Sequence, residues 1–131
     1  MAAPNIASLT TITGKTTYLT PSGTSAVVLL QNAASSNTVL KINQIVVANV
    51  DGTNAVDCTV SIYTNGGVAQ GSAPSGGTAF PIASTISVPA DASLIVVDKT
   101  TQIYLEENTS IVVTSGTASK LTFSISYELM S

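Results

Sequence analysis

From Thr16 onward the chain alternates apolar and polar residues with a period of two, the spacing that sends successive side chains to opposite faces of a β-strand. Strand-like runs fall at Thr16–Thr20, Ala26–Gln31 and Thr38–Val50, separated by the breakers Pro21-Ser22-Gly23 and Asn32–Asn37. The third run changes parity: Leu40 and Ile42 share one face, Ile45 and Val47 the other. A bulge at Asn43–Gln44 would return all four to one side. Asp51-Gly52-Thr53-Asn54 reads as a turn, because Asp accepts hydrogen bonds from the backbone ahead of it and Gly tolerates positive φ. Ala55–Tyr63 then alternates cleanly, with Val56, Cys58, Val60 and Ile62 on one face and Asp57, Thr59, Ser61 and Tyr63 on the other. Phe80–Val88 repeats the pattern through Phe80, Ile82, Ile86 and Val88, and Ser93–Asp98 is a continuous apolar run that fits a buried strand. Gln102–Glu106 and Thr109–Thr114 flank a tight Glu107-Asn108 turn, and Lys120–Glu128 closes the chain with Leu121, Phe123, Ile125 and Tyr127 inward.

No stretch carries a helical period. Eight or nine strands, each with one apolar face, are satisfied by two antiparallel sheets packed face to face. The expected fold is therefore all-β: a two-sheet sandwich of jelly-roll type, with an immunoglobulin-like sandwich as the next choice. No repeat of fixed period points to a propeller or β-helix. Residues 1–24 form an extended N-terminal arm with a first short strand, and residues 25–131 form the sandwich domain. Residues 64–79 hold five of the nine glycines, which reads as a loop that is mobile or ordered by a partner. With 44% hydrophobic but only 5% aromatic residues, the core must be built from Val, Ile, Leu and Ala. The 17 Ser and 19 Thr supply the polar half of the alternation without charge.

That lack of charge changes the functional picture. Charged residues make up 8% of the chain, and His, Arg and Trp are absent. The lysines stand alone at 15, 41, 99 and 120, whereas a phosphate backbone needs clustered cations, so direct nucleic-acid binding is not expected. An activated nucleophile needs a neighbouring base, usually His, and Cys58 lies on an apolar face where a thiol is a small inert hydrophobe. Glu106-Glu107 is an adjacent acid pair at a hairpin, where carboxylates keep a turn solvated, so enzymatic activity is not expected either. Asp98 could meet Glu106 and Glu107 if their strands pair, giving a calcium-like oxygen set, but turn capping explains these residues better. No metal and no cofactor is expected. A lone Cys excludes an intrachain disulfide, the N-terminus lacks a signal-peptide pattern, and no apolar run approaches the ~20 residues of a membrane span. The chain thus reads as a product of the cytoplasm with no membrane partner.

The polar strand faces point to assembly. Exposed edge strands normally carry charge to prevent unwanted pairing. Here Thr59, Ser61, Thr122, Ser124 and Ser126 are neutral, which suits a surface that another subunit covers. The candidate contact residues are Ile6, Leu9 and Ile12 in the arm, with Tyr63 and Tyr104, which parity places outward, as further anchors or as a glycan platform.

Four segments carry a resemblance. They are Lys41-Ile42-Asn43-Gln44-Ile45 leading to Ala48-Asn49, Val88-Pro89-Ala90-Asp91-Ala92-Ser93-Leu94 into Val97-Asp98-Lys99, Ile103-Tyr104-Leu105-Glu106-Glu107, and Ser126-Tyr127-Glu128. From Leu40 to the end the chain resembles small all-β virion proteins of tailed bacteriophages, especially those of cyanobacteria. It departs from them at Asn108-Thr109, where Gly-Asp is expected, and the arm at 1–24 has no counterpart. The resemblance implies a capsid decoration or cement protein located in the virion, a homo-oligomer with a trimer favoured, whose partners are the major capsid protein or other virion proteins. A neck, tail or baseplate component is the alternative, and a host-surface or glycan-binding module the next. The resemblance brings no catalytic residue.

Overall fold

A computed structural model describes residues 4–131. The arm's first three residues lie outside that range. The chain forms β1 (Ile12–Leu19), β2 (Val27–Asn32), β3 (Val39–Asn49), β4 (Val56–Tyr63), β5 (Ala79–Val88), β6 (Ser93–Val97), β7 (Ile103–Leu105), β8 (Thr109–Ser115) and β9 (Leu121–Met130). No helix occurs among the described residues.

The topology is that of a long antiparallel ribbon rolled on itself. Along the ribbon β1 pairs β9, β2 pairs β8, β3 pairs β6 and β7, and β4 pairs β5 at the tip. Rolling then brings β9 against β3 and β8 against β4. The result is one sheet in the order β1-β9-β3-β6, with β7 on the same edge of β3, and a second in the order β2-β8-β4-β5. This is the jelly-roll arrangement of two facing antiparallel sheets.

The core lies between the sheets. Leu29, Ile42, Ile45, Val47, Val60, Ile111, Leu121, Phe123 and Ile125 are among its fully buried side chains. Phe123 is the sole core aromatic ring among them, so volume is filled by branched aliphatics whose stiff χ1 suits a strand. The expected bulge is present: β3 slips register against β9 between Ile42 and Gln44, which keeps Leu40, Ile42, Ile45 and Val47 all buried. Two buried asparagines sit at strand ends, Asn32 closing β2 and Asn49 closing β3. Asn32 Nδ2 donates to the carbonyls of Thr38 and Leu105, both at 3.0 Å, while its Oδ1 accepts from the Ser36 and Thr38 hydroxyls. Asn49 Nδ2 donates to the carbonyls of Asn54 and Val88 at 3.0 Å, and its Oδ1 accepts from the Asp51 amide. Each thus satisfies buried backbone groups that the strand ladders leave over.

Four local expectations change. The first strand begins earlier than Thr16, because Ile12–Leu19 pairs with β9 without a register break. The 64–79 segment is ordered by its own domain rather than by a partner. It crosses the outer face of the β2-β8-β4-β5 sheet, where Gly71 N donates to Val28 O at 2.8 Å and Val28 N to Ser72 O at 3.0 Å. Its glycines serve this approach, since a Cβ on Gly66 would collide with the Asn32 carbonyl. The Ser93–Asp98 run is not a buried strand. β6 is an edge, and Ile95 on it is 59% exposed. Last, the apolar face of Phe80–Val88 is not covered: only Val88 is buried, because β5 is the outermost strand of its sheet.

Candidate functional site

A sandwich has two lateral seams where the edges of its sheets face each other. In this molecule one seam lies between β1 and β2 and the other between β5 and β6. The chain treats them differently.

The β1/β2 seam is bridged by the crossing loop. Gln70 Nε2 donates to Leu29 O at 2.9 Å and to Thr17 Oγ1 at 3.0 Å, joining the edge of one sheet to the edge of the other. A shallow crevice of about 220 Å³, lined by Thr17, Leu29, Leu30, Gln31, Gln70 and Tyr127, remains beneath it. Burial pushes the Tyr127 phenol pKa up, so the ring stays neutral across the physiological range.

The β5/β6 seam has no such bridge. β5 carries no charged residue along its ten positions. Its pairing with β4 sets Phe80 opposite Ile62, Ala83 opposite Val60 and Ile86 opposite Cys58, so these side chains point toward the sandwich interior. Yet Phe80 is 57% exposed and Ile86 41%, because the short β6 opposite does not cover them. Ile82 is also exposed on β5, whereas Ile95 on β6 pairs with Val46 on the outer face of its own sheet and lies off this seam. Contiguous apolar side chains left open at a sheet margin mark an interaction surface more often than scattered ones do.

The free edge of β5 is blunted against strand addition. Pro81 lacks an N–H, and two register shifts occur, between Cys58 and Val60 and between Val60 and Ser61. Thr85 sits at φ 50°, costly for a β-branched residue, and its N–H donates to Thr59 Oγ1 at 3.0 Å. A partner at this seam therefore meets side chains rather than extending the sheet.

The structure places the sequence-derived candidates as follows. Ile6 and Ile12 are exposed and Leu9 is half-buried. The end of the arm is held by the domain, since the amides of Thr10 and Thr11 both donate to the Ser131 carbonyl, at 2.7 and 2.9 Å. Tyr104 is exposed on the outer face of the β1-β9-β3-β6 sheet, paired across from Lys41. Beside it Lys41 and Glu128 form an ion pair at 3.8 Å. Tyr63 does lie on the outward side of β4, but the 64–79 loop covers it. It is only 8% exposed, packs with Val28 and Val112, and its hydroxyl accepts from Gly77 N at 3.0 Å. Its ring is a lid contact within the domain and is not presented to a partner.

No group of three or more metal-ligating side chains converges among the described residues. Asp98 instead accepts from the Thr100 hydroxyl at 2.6 Å and the Thr100 amide at 2.8 Å, which hold its carboxyl below the ordinary carboxylate range. Cys58 is buried, and that burial raises its thiol pKa, so the reactive thiolate is disfavoured. The open seam was missed in the sequence because parity alone assigns Phe80 and Ile86 to a core. Pro81 within the run was the available signal, since proline inside a strand pattern marks an edge.

No family model and no curated protein matches the chain. Among solved structures, the chain is similar to one from the T13 IBDV viral particle, with a TM-score of 0.47 and 8% identity. The likeness covers 94% of this chain and 32% of that one, so this chain spans about a third of the protein it matches.

Proposed function

We propose that this protein is a structural component of a tailed-phage virion, decorating or cementing the capsid by packing its open β5/β6 seam against the major capsid protein. The observation that carries this reading is the uncharged seam itself: inward-facing apolar side chains that the domain leaves uncovered, on a strand blunted against pairing. The sequence resemblance to phage virion proteins supplies the partner. The exposed Ile6 and Ile12 of the arm add secondary contacts, and the protein assembles as a homo-oligomer, a trimer in the simplest case. Contacts of ~1,000 Å² or more suffice for stable attachment.

The test is incorporation. Phe80→Lys and Ile86→Lys place a charge where a partner would bury it, and a virion assembled with either variant is expected to lack this protein while the isolated chain stays folded. Undiminished occupancy would overturn the reading. Copy number separates decoration from the neck, tail or baseplate alternative: a count that scales with the major capsid protein supports decoration, and a count fixed at a single ring supports the alternative.

A further inference from the structure

A second feature lies away from both seams. β6 pairs with β3 from Ile45 to Ala48, and β7 pairs with β3 from Leu40 to Ile42. Between them, opposite the β3 bulge, no strand covers the edge, and residues 98–102 loop outward. The result is a groove of about 580 Å³ lined by Asn43, Gln44, Asp98, Lys99, Thr100 and Ser126. That volume is within the range of natural small-molecule sites.

The walls are fixed by hydrogen bonds. Gln102 Nε2 donates to Asn43 Oδ1 at 2.6 Å, and Asp98 Oδ1 accepts from both the amide and the hydroxyl of Thr100. Ser126 shares a hydroxyl contact with Thr16 at 3.0 Å across β1 and β9. Gln44 and Lys99 line the groove, and neither side chain has a hydrogen bond or ion pair to any described residue. One strand position along the same outer face, in the row of Lys41 and Glu128, stands the exposed ring of Tyr104.

The chemistry of this lining selects among ligands. One carboxylate and one ammonium cancel, so neither a polyanion nor a multivalent cation gains net attraction, and each meets one repelling group. A purely apolar ligand would match the carbon that makes up most of the exposed lining but would leave the Gln44 amide and the Lys99 ammonium, which have no internal partner, without a hydrogen bond. A neutral polyhydroxylated molecule suits both parts of the lining, because its hydroxyls can bond Gln44 and Lys99 while its C–H faces rest on the apolar wall or on an aromatic ring such as Tyr104. We infer that the groove between the β3 bulge and the 98–102 loop binds a neutral saccharide, with Gln44 and Lys99 as its free hydrogen-bonding groups.

The inference goes beyond the assembly role and is tested on the isolated full-length chain. The ¹⁵N-labelled protein is titrated with lactose, maltotriose and chitotriose, and in separate arms with inorganic phosphate and with calcium chloride. A saccharide is expected to shift the amides of residues 43–44, 98–100 and 126, and Gln44→Ala or Lys99→Ala to weaken that binding roughly fivefold each, the loss of about one hydrogen bond. Both side chains are surface groups without internal partners, so unchanged shifts elsewhere show that the fold is kept. Three results overturn the inference: no localised shift with any of the three saccharides, shifts with phosphate or calcium alone, or saccharide binding that survives both substitutions. Phe80→Lys is expected to leave saccharide binding intact, so failure of the seam and failure of the groove read out separately.

Discussion

The two lateral seams of this sandwich solve the same problem in opposite ways. Between β1 and β2, the long β4–β5 connection crosses an entire sheet to set Gln70 across the gap. Between β5 and β6 the sheets are tied at the 89–92 turn and by Asn49 at Val88, and farther along β5 the inward-facing Phe80 and Ile86 are left exposed. A closed seam stabilises the domain by itself. An open one leaves apolar area in water, at roughly 25 cal/mol per Å², until a partner removes it. The difference teaches that one and the same hairpin closes one side of the molecule and presents the other.

The largest effect is expected from removing the strand that frames the closed seam. Deleting residues 1–19 strips β1 from β9, uncovers Phe123 and Ile125 and exposes a long edge whose only charge is Glu128. The loss is on the order of 5 kcal/mol, comparable to the whole stability of a small domain, and the product should aggregate or unfold in a thermal melt. Deleting only residues 1–9 leaves the β1 ladder and the Thr10 and Thr11 bonds to Ser131 in place, so its melting temperature should stay close to that of the full chain. Equal damage from both deletions would mean that the arm, and not the strand, closes this side.

The open seam should behave in the reverse sense. Ile86→Lys or Phe80→Lys changes stability by no more than about 0.5 kcal/mol, as expected of surface positions, yet abolishes assembly measured by light scattering and by virion composition. A melt lowered by several degrees would show that these side chains support the core after all. Next in size is Gln70→Ala, which removes the bridge at the closed seam and should cost about 1 kcal/mol in urea unfolding without touching assembly. A variant that lost assembly instead would reverse the assignment of the two sides.

How much of this was legible in the sequence depends on which physical signal each region carries. Period-two patterning located the strands, and the parity slip between Ile42 and Ile45 located the β3 bulge, because a buried face tolerates no register error. Parity says which side of a strand a residue takes but not whether anything lies there. That is why Tyr63, outward on β4, is buried under a loop, while Phe80, inward on β5, is exposed. Ile95 misleads for the same reason: an apolar run fits a central strand, and only the neighbour that is absent makes β6 an edge. The glycines of residues 64–79 read as freedom, whereas Gly66 serves close approach to the Asn32 carbonyl. The groove at the β3 bulge was beyond sequence reasoning, since it arises from a gap between β6 and β7 along a third strand.

The smallest expected effect concerns acid, and it separates the two sides by their chemistry. The closed seam is held by Gln70, Thr17 and backbone carbonyls, none of which titrates. The turns at the open side rest on carboxylates. Asp51 Oδ1 accepts from the amides of Thr53 at 2.8 Å and Asn54 at 3.1 Å, and the Asp51 carbonyl accepts from Asp91 N in the β5–β6 connection. Asp98 caps the loop that follows β6 through Thr100. The backbone amides of Thr53 and Asn54 lower the Asp51 pKa from its ordinary 3.8, and the Thr100 hydroxyl and amide lower that of Asp98 in the same direction. A carboxyl whose folded pKa lies below its unfolded one binds fewer protons when folded, so its stabilisation is fully present above 3.8 and fades as the pH falls through the lowered value. Asp98 is exposed and Asp51 half-buried at the surface, and the effect on global stability is accordingly slight. It is local and should be read locally: hydrogen exchange taken below pH 3.8 is expected to speed at residues 51–54 and 98–101, relative to the intrinsic rate at that pH, and to leave residues 17–19 and 27–30 unchanged. Asp51→Asn should remove the pH dependence at the first turn and keep it at the second. Acid loosening that began at the β1/β2 side would show that a titrating group, and not the Gln70 bridge, holds that seam.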